Sequence, residues 1–71
     1  MTPATRSYEC NTATRTFRGT ARQVATVALS WQKRGETVGA YAILSADDMV
    51  TVREVAITSA KATAAALATV V

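Results

Sequence analysis

"YAILSADDMVTVREV", residues Tyr41 to Val55, decides the fold, because it reads either as a hairpin turning at its acidic centre or as a strand entering a capped helix. The helical reading uses Ser45 as N-cap and Asp48 three residues on, with acids where the helix dipole favours them. Against it, residues 50–58 hold six β-branched residues in nine, which lose side-chain freedom in a helix and suit a strand. A Ser-Ala-Asp-Asp cluster between two such runs serves as a hairpin loop. The hairpin is therefore the expectation, with Asp47 and Asp48 at its tip in water.

Outward from the hairpin, the firmest signal is "TARQVATVALSWQKR". Thr20 and Gln23 form a capping box, basic residues occupy the last turn, and Gly35 stands where a left-handed cap belongs. This predicts a helix over residues 21–34. Val24, Val27, Ala28 and Trp31 share its apolar face, widened by Ala21, Ala25 and Leu29, so Trp31 is expected in the core.

Upstream, "RSYECNTATRTFRG" is rich in threonine and aromatics and reads as a strand, or as two short ones broken near Asn11, anchored by Phe17. The tail "SAKATAAALATVV" reads as an alanine-rich helix capped by Thr58 or Ser59, with Ala60, Ala64, Leu67 and Val71 as its stripe. The expected architecture is α+β in the order β-α-β-β-α. A sheet of about three strands carries the first helix on one face and leaves its other face or an edge for a partner. Residues 1–71 form one domain, with 1–5 expected to be flexible.

At 71 residues the chain has room for one core, and 15 of its apolar residues are alanines. So few large apolar groups make self-association a natural remedy, and a homodimer is expected. The single cysteine, Cys10, excludes an internal disulfide and a cysteine-rich metal site. It is expected to be a buried strand residue. No secretory core or membrane-length apolar run is visible, which points to a cytoplasmic protein without membrane partners.

Chemistry is sparse. There is no histidine, which removes the usual general base and metal ligand. Asp47 and Asp48 are adjacent and do not face one another as an acid/base pair. With Glu54 they lack calcium-loop spacing, and the three glycines form no phosphate loop. No catalytic residue, cofactor or metal is implied.

The charge is lopsided. Arg6, Arg15, Arg18, Arg22, Lys33 and Arg34 against Glu9 give +5 over residues 1–34, and the rest of the chain carries −2. Arg15, Arg18 and Arg22 span a strand-to-helix junction and suit a phosphate or carboxylate. The expected function is non-enzymatic: a small interaction module, an inhibitor or adaptor in the style of phage or mobile-element accessory proteins. It would bind another protein through Arg15, Arg18, Arg22, Asp47 or Asp48. The alternative is a nucleic-acid-binding or regulatory protein using the three arginines, although they are less dense than a usual basic stripe.

Overall fold

The computed structural model describes residues 5–70, and in it the stretch Tyr41–Val55 is a hairpin. Strand β3 (Gly39–Ala46) pairs antiparallel with β4 (Met49–Val55), Ala46 standing opposite Met49 across a two-residue turn of Asp47 and Asp48. Asp47 adopts a left-handed φ of 53°, a conformation that aspartate tolerates better than most residues. Ser45 lies within β3, paired with Val50, and caps nothing.

The N-terminal segment takes the second of its two expected forms, two short strands broken after Asn11, rather than the single strand of the expected β-α-β-β-α order. It forms a second hairpin, β1 (Thr5–Asn11) with β2 (Thr16–Gly19). The element order is therefore β-β-α-β-β-α, and the antiparallel sheet has four strands, ordered β2-β1-β3-β4. Hydroxyls and backbone groups make the added turn without glycine or proline. The Thr12 N–H donates to the Arg15 carbonyl at 2.9 Å, and the Thr14 N–H donates to Thr12 Oγ1 at 3.3 Å. Thr5, placed in the flexible end by the sequence, is in β1 opposite Ser45. Residues 1–4 and Val71, the last of the expected stripe, lie outside the described residues.

Helix α1 (Ala21–Lys33) starts at the expected box. Thr20 Oγ1 accepts from the Gln23 N–H at 3.1 Å, and Gln23 Oε1 accepts from the Thr20 N–H at 3.0 Å. It stops one residue earlier than expected, with Arg34 as C-cap. Gly35, at φ 90°, donates to the Gln32 carbonyl and Glu36 to the Trp31 carbonyl, the paired bonds of a Schellman ending. Helix α2 (Ala60–Thr69) is capped by Ser59, whose Oγ accepts from the Ala62 N–H. Its far end is tied to β1, since Arg6 Nη1 donates to the Ala68 carbonyl at 2.8 Å.

Both helices pack on one face of the sheet. The buried core is Cys10, Ala40 and Ala42 from the strands, Val24, Ala25 and Ala28 from α1, and Leu67 from α2. The α1 stripe is thus centred on Ala25 and Ala28, which leaves Val27 and Trp31 half-buried at its margins. Thr63 is also fully buried, its hydroxyl accepting from the Thr58 N–H at 3.1 Å.

Leu67 and Val24 are the largest apolar side chains completely out of water. Leu67→Ala should therefore cost about 2 to 5 kcal/mol, read as a lower denaturant midpoint. At the turn, Asp47→Asn should stay within about 0.5 kcal/mol, whereas Asp47→Val, β-branched at positive φ, should cost about 1 to 2 kcal/mol.

Candidate functional site

Strand alternation sorts every side chain to one of two faces, and the pairing registers say which ones meet. Cys10, Ala40 and Ala42 turn toward the helices. Their strand neighbours of opposite parity make the face that no helix covers. One row across it runs Arg18, Glu9, Tyr41, Glu54; the next runs Ser7, Ile43, Val52; the third runs Thr5, Ser45, Val50. Within the first row Glu9 accepts from Arg18 Nε at 3.2 Å and from Asn11 Nδ2 at 3.3 Å. Tyr41 lies against Gly39, where a Cβ would run into its ring, so the glycine is needed to seat the tyrosine.

The apolar part of this face is concentrated on the outer hairpin. Val50 is 67% exposed and Val52 54%; Met49, 71% exposed, stands opposite Ala46 and so has the helix-side parity of Ala42 and Val55. These residues were missed by reasoning that looked for charges and nucleophiles. A signal was available: Val50 and Val52 share a parity that Val55 does not, so a strand burying Val55 against the helices must present the other two outward.

The three arginines expected to act together go to three places. Arg15 turns to the helical side, its guanidinium 4.2 Å from the centroid of the Trp31 ring and paired with Glu36. Arg18 lies on the uncovered face with Glu9. Arg22 is exposed on α1, with no acidic partner among the described residues. The junction therefore does not assemble the fork of cations that the sequence suggests. Asp47 and Asp48 are exposed at the hairpin tip, as expected.

Cys10 is fully buried between the sheet and α1. Burial pushes its thiol up from the ordinary value; a backbone hydrogen bond at Phe17 works against this, and Glu9 adds to it. A thiol held neutral and out of water is a poor nucleophile. Among the described residues, no three of histidine, cysteine, aspartate and glutamate gather where they could hold a metal ion, and no helix is long and apolar enough to cross a membrane. Compared with protein-family models, with curated proteins and with solved structures, the chain finds no match.

Trp31 is covered on one side by Arg15 rather than sunk in the core. Trp31→Ala should accordingly cost about 1 to 3 kcal/mol, below the 3 to 5 of a fully buried tryptophan, and Arg15→Ala about 1 kcal/mol. Chemical denaturation of both variants measures the two figures. In native protein Cys10 should react with a thiol reagent only at the rate of opening, and at full rate once denaturant is added.

Proposed function

We propose that this chain is a non-enzymatic, cytoplasmic interaction module, homodimeric, that acts as an inhibitor or adaptor by docking on another protein. The observation that carries the reading is the exposure of Val50 and Val52 on the outer hairpin, continuous with Ile43 and Tyr41 on the uncovered face, with Met49 also exposed at the hairpin end. In so small a fold, large apolar groups left in water beside a polar rim of Arg18, Glu9 and Glu54 fit a protein interface. The acidic tip, Asp47 and Asp48, adds a charge that favours a partner with a basic rim and speeds encounter with it. Arg18 contributes by holding this face in shape through Glu9, whereas Arg15 is engaged with Glu36 on the helical side.

A second reading, nucleic-acid binding, draws on the exposed Arg22, Lys33 and Lys61 of the two helices. They are spread along the helical layer rather than set in a stripe, and the aromatics on that side, Phe17 and Trp31, are half-buried rather than displayed for base stacking.

Affinity capture from source-cell lysate, with and without nuclease, separates the two. Capture of a protein that resists nuclease is expected, and it should be lost in a folded Ile43→Glu variant. Replacing both tip aspartates with asparagine should leave the fold intact and slow association. Nuclease-sensitive capture, with heparin retention that falls steeply as salt rises, would transfer the function to the helical layer.

A further inference from the structure

A sheet has two edges, and this one treats them differently. The β2 edge is four residues long, ends in Gly19, and carries Arg18 anchored to Glu9. Short, charged edges are how proteins prevent unwanted strand pairing. The β4 edge is seven residues long, with no proline or lysine; besides Arg53 and Glu54 it shows three exposed apolar side chains. Among the described residues, β4 pairs only with β3.

The two-residue turn fixes which backbone groups that edge offers. Ala46 and Met49 close the turn as a hydrogen-bonded pair, so Thr51, Arg53 and Val55 direct their N–H and C=O groups to β3. Val50, Val52 and Glu54 direct theirs outward, away from the sheet. Unpaired groups of that kind form a template for another strand.

We propose that the occupant of this edge is the β4 strand of a second copy, antiparallel, with Val52 on the two-fold axis. The proposal rests on the homodimeric reading above and gives it a joint and a register. In a two-fold antiparallel joint that continues the sheet, facing residues share a face, so the axis must pass through a single residue of β4. Charge then selects among the positions. An axis at Arg53 sets arginine against arginine, an axis at Glu54 sets glutamate against glutamate, and an axis at Thr51 sets Glu54 against Asp48 of the other copy. Like charges directly opposite are destabilising. An axis at Val50 avoids all three but would pair only residues 49–51 of β4, whereas an axis at Val52 avoids them as well.

That register also uses the whole strand. Val52 faces Val52, Arg53 faces Thr51, Glu54 faces Val50, and Met49 faces Val55 of the other copy. Val50, Val52 and Glu54 of each chain spend their outward groups on the joint. The result is an eight-stranded sheet in which Ile43 and Val52 of both copies form one apolar row across the four central strands. The 71% exposure of Met49 in the single chain is explained by a seat beside the partner's Val55.

Sedimentation of the full chain over a range of concentrations, with two variants, tests the joint. The native chain should sediment as a dimer at high micromolar concentration. Val52→Lys, which sets two ammonium groups on the axis, should weaken that dimer by about tenfold or more while its amide dispersion stays folded. Val52→Cys adds an exposed thiol to a chain whose own cysteine is buried. It should therefore cross-link between copies through a short bismaleimide much faster than a Thr14→Cys control. A 7.5 kDa monomer throughout overturns both this joint and the homodimeric reading, and leaves the capture of another protein to be judged on its own result. A dimer that withstands Val52→Lys, with Val52→Cys cross-linking no faster than the control, overturns the β4 joint and keeps the dimer.

Discussion

The close approach of α1 to the sheet through small side chains governs the rest of the molecule. Ala25 and Ala28 meet Cys10, Ala40 and Ala42, all fully buried, and none of the five can fill space at a distance. The helix must therefore lie close to the strands, as small-residue contacts require for dense packing. Such a layer is thin, consistent with a molecule 43 × 25 × 16 Å. The larger aliphatics at the hairpin end, Met49, Val50 and Val52, have no helix above them. The contact between α1 and the sheet is thus made of small side chains, while Met49, Val50 and Val52 stand exposed on the outer strand.

What was legible in the sequence was what local chemistry decides. The Thr20 and Gln23 box and Gly35 mark α1 because their effects are confined to neighbouring residues, and the β-branched run of β4 outweighs the caps at Ser45 for the same reason. A break near Asn11 was legible as an alternative, but the reversal itself was obscured because Thr12 and Thr14 turn the chain with side-chain hydroxyls, and threonine is a strand residue by every propensity. The arginines misled for a different reason. Arg15, Arg18 and Arg22 are neighbours in sequence, yet the alternation of β2 and the start of α1 send them to different surfaces. Nothing short of the register, Glu9 opposite Arg18 and Cys10 opposite Phe17, tells which way each one turns. Trp31 sits between these cases: its helical face was readable, but its depth depended on where Arg15 and Glu36 arrived from other parts of the chain.

The same register turns a charge imbalance along the sequence into one across the molecule. Of the six N-terminal cations, Arg6 closes the end of α2, Arg15 covers Trp31, and Arg18 neutralises Glu9. The remaining three, Arg22, Lys33 and Arg34, lie on or at the end of α1, and Lys61 lies on α2. The helical layer is therefore the basic side. On the uncovered face Glu9 is spent on Arg18, Glu54 remains, and the acids Asp47 and Asp48 extend the hairpin beyond it. Electrostatic attraction would draw a polyanion to the helices, where the apolar groups are covered. It would draw a basic protein surface toward the hairpin, where they are exposed. Only on the sheet side do the long-range charge and the short-range apolar contact favour the same approach, and a surface that both orients and retains a partner needs the two together.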